Sequence, residues 1–208
     1  RPRTGKVESE SKSSLGPSLR RLLTNKFIAM AIVVEFAIFF LIGVTATYGP
    51  LYAKAAFAMT ESDISAMFFG YFTVMTFSRL TMRKLVPRFR RRMIISVGLL
   101  IASVMATLLS LSGSALQFTL FFIIIGISHG IVFPSGVLIV VGSIEKGNLT
   151  LANSLLFNSL DIGYALGALT MAPIAENMGL ASTFLFSAIL PAIGILTVGV
   201  ASKYGERT

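Results

Sequence analysis

The sequence predicts an all-helical integral membrane protein that crosses the bilayer six times. Of its 208 residues, 54% are hydrophobic and only 13% are charged, and the mean hydropathy is +0.81. A soluble domain spreads charged residues over its whole surface, whereas here the charges are clustered between long apolar runs. Each run has about the 20 residues that a helix needs to cross roughly 30 Å of hydrocarbon.

The apolar runs define the predicted spans and the domain organisation. The spans cover about residues 27–48, 64–85, 93–111, 115–141, 149–175 and 181–201. The first is predicted to end at the turn signal Gly49-Pro50, and the second to begin after a capping-box pattern at residues 60–63. We expect a flexible basic linker over residues 1–26, a six-helix transmembrane domain over 27–202 and a short tail over 203–208. A start at Arg1 suggests a piece of a longer protein.

Basic residues mark one side of the predicted membrane domain. They lie in the N-terminal segment, between the second and third spans, at Lys146 and in the C-terminal tail, whereas the other side carries only Lys54. Lysine and arginine prefer cytoplasmic loops, so both termini are predicted to be cytoplasmic and the protein to lie in the plasma membrane. The net charge of +9 is then a topology signal, and no nucleic-acid partner is expected.

Several enzyme classes are excluded by composition. The chain has no cysteine and one histidine, which leaves no Cys/His metal site, and no nucleotide-binding or other cofactor signature is present. The segment GISHG at residues 126–130 matches G-x-S-x-G, the motif of intramembrane serine proteases. Ser128 and His129 are adjacent, however, so on a helix they point about 100° apart, and no second histidine can act as base. We therefore predict that the protein is not an enzyme.

Ionisable residues inside the spans are the candidate functional groups. Glu35, His129 and Asp161 fall close to the predicted midplane, about 13 to 18 Å from the nearest span end at 1.5 Å per residue. Each such side chain costs roughly 2.5 to 3.5 kcal/mol to insert, so it needs a partner, a water-filled cavity or a function. Arg79, near the end of the second span, either snorkels to the headgroups or serves the same site.

Helical spacing places further polar groups beside Asp161. Ser154, Asn158, Asp161 and Tyr164 follow one another at spacings of four, three and three residues. These spacings place them on one face of a helix and predict a polar stripe directed inward. Asn158 and Asp161 could hydrogen-bond across helices and only stabilise the bundle, but an amide alone would do that, so the carboxylate favours function. His129 lies between Gly126 and Gly130, a spacing that permits close helix packing, and is either a packed residue or a ligand contact.

The distribution of these groups predicts two inverted three-helix repeats. The first, second, fourth and fifth spans carry ionisable residues at membrane depth, whereas the third and sixth carry none. The tripeptide LTM occurs late in both the second and the fifth span, at residues 80–82 and 169–171. These two spans run in opposite directions, as in the inverted repeats that place transporter sites at the midplane.

The motifs resemble the C-terminal half of a major facilitator superfamily transporter of the efflux type. KLVPRFRRR at residues 84–92 is similar to the superfamily signature G-x-L-A-D-R-F-G-R-R; matching positions are Leu85, Arg88, Phe89, Arg91 and Arg92. Arg83, Pro87 and Arg90 replace the two glycines and the aspartate, which puts an ion pair through that aspartate in doubt. Residues 130–136 and 157–179 resemble the fourth and fifth helices of drug and sugar efflux members, with Asp161, Gly163 and Gly167 at matching positions.

The resemblance implies a twelve-helix fold whose N-terminal half lies on the same or a separate chain. The first and fourth helices of each half would line a central cavity, and rocking of the halves would give alternating access. We expect proton-coupled export of a small organic solute, with Glu35 and Asp161 carrying protons and His129, Asn158, Tyr164 and Arg79 contacting the solute. A uniporter, an organic-anion exchanger and a non-transporting membrane subunit are the alternatives.

Overall fold

A computed structural model describes residue 20, residues 22–144 and residues 146–203, with the backbone alone at 83, 85, 146, 202 and 203. From residue 26 onward, these residues form eight α-helices, a short 3-10 helix at Lys146–Asn148 and no strand. The helices are α1 (Lys26–Phe57), α2 (Glu61–Leu85), α3 (Arg91–Ser110), α4 (Ala115–Gly142), α5 (Leu149–Thr170), α6 (Ala172–Met178), α7 (Leu180–Ser187) and α8 (Ile189–Lys203). The predicted linker at 1–26 and tail at 203–208 lie almost wholly outside the described residues.

Five stretches of the described chain are long and apolar enough to cross a bilayer. They are α1, α3, α4, the α5–α6 pair and the α7–α8 pair, and the all-helical prediction is confirmed. Helix α2 has 25 residues but is not among the five, because its acidic start and Arg79 make it the least apolar of the long helices. A sixth crossing by α2 stays a prediction.

The predicted end of the first span at Gly49-Pro50 is wrong, because α1 continues through Pro50 to Phe57. A proline removes one backbone donor, and a membrane helix tolerates this where neighbouring helices hold the chain in place. Tyr48, Gly49 and Ala53 are all buried, so packing supports the helix on both sides of the proline. The helix ends instead at Ala58, whose N–H hydrogen-bonds the carbonyls of Ala53 and Lys54.

The capping box predicted at residues 60–63 is confirmed at the start of α2. The backbone N–H of Thr60 donates to the Asp63 carboxylate at 2.9 Å, and the N–H of Asp63 donates to the Thr60 hydroxyl at 3.2 Å. Hydrogen bonds from the Thr60 hydroxyl and N–H lower the pKa of Asp63. Lys54 forms an exposed ion pair with Glu61 across the connection between α1 and α2.

Ala58 occupies the left-handed backbone region, with φ of 51°, and should accept glycine with a gain in stability. A non-glycine residue in this region costs roughly 1–2 kcal/mol. We expect Ala58→Gly to raise the thermal unfolding midpoint of the purified protein. Ala55→Gly, in the last turn of α1, should instead destabilise it by about 1 kcal/mol. A lower midpoint for Ala58→Gly would contradict the assigned backbone conformation.

Helices α1 and α4 form the centre of the bundle. Helix α1 packs on α4, α5, α7 and α8, whereas α4 packs on α2 and α3. The outer helices approach through glycines: Gly163 and Gly167 of α5 face the backbone of α1, and Gly126 and Gly130 of α4 face the backbone of α2. Because these positions lack a Cβ, the helix axes come close, which positions the four helices around a common cavity.

Candidate functional site

An aromatic cavity of about 290 Å³ lies where α1, α2, α4 and α5 meet. Its walls come from all four helices: Phe39, Ile42, Thr45, Ala46, Phe68, Tyr71, Phe72, Phe122, His129 and Tyr164. Six of these ten residues are phenylalanine or tyrosine, and the polar groups among them are few. A largely apolar cavity with a few polar groups suits a small organic molecule that is recognised by ring contacts and one or two hydrogen bonds.

His129 is held at the wall of this cavity by α1 and α2. Its Nδ1 lies 2.8 Å from the Tyr71 hydroxyl, and its ring meets the Phe39 ring edge-on with centroids 5.1 Å apart. Gly126 and Gly130 flank it and bring the α2 backbone close, so the histidine is both packed and part of the cavity wall. The packed role that the sequence offered is confirmed, and a contact with a ligand stays a prediction.

The Tyr71–His129 hydrogen bond should contribute measurably to stability. Removing the hydroxyl in Tyr71→Phe leaves the partly buried imidazole without this partner, which typically costs about 1–3 kcal/mol. Tyr164→Phe is the matched control, because the Tyr164 side chain is 42% exposed. We expect Tyr71→Phe to lower the unfolding midpoint and Tyr164→Phe to leave it nearly unchanged. Equal midpoints for the two variants would show that the bond contributes nothing.

Glu35 is fully buried between α1 and α4 and does not line the aromatic cavity. Its carboxylate lies directly against Gly136, where any side chain larger than hydrogen would collide with it. Among the described residues, no donor reaches either carboxylate oxygen. The structure thus places this residue across from α4, as the sequence allowed, in closed packing.

Arg79 of α2 contacts an aromatic ring of α4. Its guanidinium carbon is 5.2 Å from the centroid of the Phe133 ring, a cation–π contact between α2 and α4. The positive charge also acts electrostatically on Glu35 and His129. The Arg79 side chain is itself exposed, and through its charge it can influence both candidate groups.

Apart from Tyr164, the polar stripe on α5 that was predicted to be directed inward faces away from the helices of this chain. Asn158, Asp161 and Tyr164 are all exposed, as is Ser154, whose hydroxyl donates to its own helix at Thr150. Tyr164 alone of these lines the aromatic cavity. The structure therefore brings His129 and Tyr164 to one cavity, and leaves Asn158 and Asp161 on the adjoining open face of α5.

Two residues of the cavity wall that contact His129 were not predicted from the sequence. Tyr71, the partner of His129, lies among phenylalanines on α2, and Phe39 covers the imidazole from α1. The sequence carried no clear signal for Tyr71, because the next ionisable residue along α2, Arg79, lies eight residues later and about 80° around the helix. Phe39 lies four residues after Glu35, but nothing in the sequence distinguishes it from the other apolar residues of α1.

The comparisons with known proteins agree with this architecture. A family model described as Major Facilitator Superfamily matches residues 7–206. The crystal structure of PepTSo, a transporter of the POT family, superposes with a TM-score of 0.74 at 16% identity, covering 85% of this chain and 37% of that one. The chain thus spans less than two-fifths of that protein's length.

No curated protein sequence gave a match to the chain. The structural similarity, at its low identity, concerns the fold alone, whereas the family model covers nearly all of the sequence. The closely packed apolar helices and the cavity between four of them fit a protein that works within the bilayer. The chain is an integral membrane protein and belongs to the Major Facilitator Superfamily of transporters.

Proposed function

We propose that the chain is one half of a proton-coupled secondary transporter that exports a small organic solute by alternating access. The other half would lie on the same polypeptide or on a separate one, against the exposed faces of α2 and α5. Residues 1–26 would connect the halves on the cytoplasmic side, with both termini in the cytoplasm and the protein in the plasma membrane. Protons and the solute are the ligands of this cycle.

The observation that carries the proposal is the enclosure of Glu35. An ionised carboxylate without a partner costs several kcal/mol in a low-dielectric interior, so the closed packing suits the neutral acid. A methionine or leucine side chain would fill the same space without the free-energy cost of a buried, unpaired carboxylate. A carboxylic acid enclosed at membrane depth fits a group that carries a proton when buried and releases it when another conformation admits water.

Asp161 is the second proposed proton carrier, in a different environment. It lies on the exposed face of α5, one turn before Tyr164, whose side chain lines the aromatic cavity. In an assembled transporter, this face would border the passage between the two halves. Asp161 would then exchange protons with water in the passage, whereas Glu35 would do so only when α1 and α4 separate.

The solute would bind in the aromatic cavity and extend along α5. His129 and Tyr164 line the cavity, so they would contact the solute directly through an imidazole and a hydroxyl. Asn158 lies on the adjoining face of α5, and Arg79 would attract an anionic group or stabilise a carboxylate. The volume of about 290 Å³ on this side alone suits a group the size of one aromatic ring with substituents.

The helix packing supports the proposed pair of inverted repeats. Helix α2 packs on α4 just as α5 packs on α1, and α3 packs on α4 as α7 and α8 pack on α1. Exchanging the first triplet for the second therefore preserves these contacts, whereas weaker ones, such as α4 with α5 and α1 with α3, have no counterpart of similar extent among the described helices. Such symmetry gives two related ways to pack the same helices, which is the basis of alternating access in inverted-repeat transporters.

Solute flux in proteoliposomes tests this function. The complete protein would be reconstituted, and uptake of radiolabelled aromatic amines, amino acids and sugars would be followed with and without an imposed pH gradient. We expect at least one solute to accumulate in response to the gradient. In Glu35→Gln and Asp161→Asn, that accumulation should be lost while downhill flux persists. Unchanged coupling in both variants would remove the two carboxylates as proton carriers.

A uniporter or organic-anion exchanger is the second candidate, and Arg79 favours it. This cation contacts Phe133, whose ring in turn contacts Phe39 of the cavity wall, and from there it could bind an anionic solute. In that case flux would not respond to the pH gradient, and Arg79→Gln would reduce uptake of a labelled organic acid such as benzoate. Gradient-driven accumulation that survives Arg79→Gln would exclude this candidate.

A further inference from the structure

A separate cavity of about 200 Å³ lies between α3 and α4, beside the loop that precedes α3. All its lining residues are apolar: Phe89, Met93, Ile94, Val97 and Ile131. None of these lines the aromatic cavity, so the two spaces are distinct. From Arg91 at the start of α3 to Val97 is about 9 Å along the helix, so the cavity spans the outer part of one leaflet.

The cavity continues into an apolar stripe along α3. Met93, Val97, Leu100 and Val104 follow spacings of four, three and four, and each is between 43% and 55% exposed. Helix α3 is one of the five candidate membrane spans, so this stripe would face acyl chains. A chain lying along the stripe can enter the cavity without crossing a polar surface.

The mouth of the cavity is strongly basic. Residues 83–92 contain six lysines or arginines and no acidic residue. Arg91 donates to the Leu138 carbonyl of α4 at 3.0 Å, and Arg92 lies 4.9 Å from the Phe27 ring, so both are anchored to the bundle. Arg88 is exposed and precedes Phe89, which lines the cavity. Positive charge therefore lies where the apolar cavity meets the membrane surface.

We propose that this cavity and its basic mouth bind one anionic phospholipid, with an acyl chain along Met93 and Val97 and the phosphate near Arg88. Charge complementarity selects the anionic headgroup, because each nearby lysine or arginine contributes about 1 kcal/mol of attraction to an anionic lipid surface. The apolar cavity selects an amphiphile over a soluble phosphate, because a soluble phosphate has no acyl chain to place in the cavity and could interact only with the arginines. The site lies outside the proposed transport pathway and does not depend on it.

Binding of short-chain lipids to the complete purified protein in neutral detergent tests the site. Native mass spectrometry would give the dissociation constants of dioctanoyl phosphatidylglycerol and dioctanoyl phosphatidylcholine, with glycerol 3-phosphate as the headgroup without chains. We expect phosphatidylglycerol to bind at least fivefold more tightly than phosphatidylcholine, and glycerol 3-phosphate not to compete at equal concentration. Equal affinity for the two lipids, or full competition by glycerol 3-phosphate, would overturn the proposal.

Four variants locate the lipid. Arg88→Gln should weaken phosphatidylglycerol about fivefold, which corresponds to about 1 kcal/mol, whereas Arg88→Lys should retain most of the affinity. Val97→Phe fills the cavity and should weaken binding about tenfold, whereas Val104→Phe, two turns further along the same stripe, should not. Binding unchanged by both Arg88→Gln and Val97→Phe, in protein with wild-type thermal stability, would show that the lipid lies elsewhere.

Discussion

Replacing both Gly163 and Gly167 by valine is expected to abolish folding of the transporter. A Cβ at Gly163 would lie 2.6 Å from the Phe36 carbonyl oxygen, and one at Gly167 would lie closer still to the Phe40 carbonyl. The obstacle is backbone in both cases, so no side-chain rotation can relieve it. The two helices would have to separate along their whole contact.

The energetic balance makes this the largest stability effect that we expect. Overpacking a filled interface typically costs 1–3 kcal/mol per site, and the contact between α1 and α5 is the most extensive between the described helices. Separation would also break the hydrogen bond of 2.7 Å from the Tyr48 hydroxyl to the Ala168 carbonyl. Lipid offers no hydrophobic force to hold the helices together, so the loss of close packing is not compensated.

Size-exclusion chromatography and thermal unfolding would measure this effect. Gly163→Ala and Gly167→Ala should each destabilise the protein, although alanine favours a helix over glycine by about 1 kcal/mol. Gly199→Ala is the matched control, because a Cβ there meets nothing within 4 Å, and it should gain stability from that helix preference. Monodisperse Gly163→Val/Gly167→Val protein with a wild-type unfolding midpoint would contradict the α1–α5 contact.

Glu35→Met should stabilise the protein while abolishing proton coupling. Both Glu35 side-chain oxygens are buried without a hydrogen-bond partner among the described residues, and such groups cost about 1–3 kcal/mol. Methionine has a similar length and carries no buried polar oxygen, so it keeps the packing and removes the penalty. We therefore expect a higher unfolding midpoint together with flux that no longer follows an imposed pH gradient.

Opposite effects on stability and coupling are what distinguish a functional carboxylate from a structural one. Glu176→Met, at an exposed carboxylate, serves as the control and should change stability by less than about 0.5 kcal/mol. Glu35→Lys places an ammonium in the same closed packing and should destabilise strongly. A lower midpoint for Glu35→Met than for wild type would indicate that the carboxylate holds α1 and α4 together.

Much of the fold could be predicted from the sequence because bilayer physics is simple. Apolar length identified α3, α4 and the start of α1 within a few residues, and the Thr60–Asp63 spacing identified the start of α2. The end of α1 could not be predicted, since the tolerance of Pro50 depends on neighbours that a sequence does not reveal. Helix α2 was predicted as a span but is not among the five apolar stretches. The polar residues that made it a candidate for the site also lower its apolarity below that of the other spans.

The candidate site could be predicted in its residue types but only partly in its geometry. Depth along a helix is a count of residues, and the depth of Glu35 and His129 in the bilayer stays a prediction, whereas the structure shows that Glu35 is buried and that His129 lines a cavity. Orientation depends on which neighbours pack around a helix, and α5 packs through Gly163 and Gly167 on one face only. Asp161 therefore lies on the other, open face, and the closed packing of Glu35 against Gly136 follows from a contact between distant segments.

Infrared spectroscopy of Glu35 is the most direct test of its role as a proton carrier. The protonated carboxylic-acid band would be recorded in proteoliposomes at neutral pH and after transfer to D₂O, with Glu35→Gln as the reference. We predict a band from neutral Glu35 that is absent in Glu35→Gln and that shifts on deuteration, because another conformation admits water. A carboxylate at neutral pH, or an acid band that never exchanges in protein that transports solute, would contradict the account.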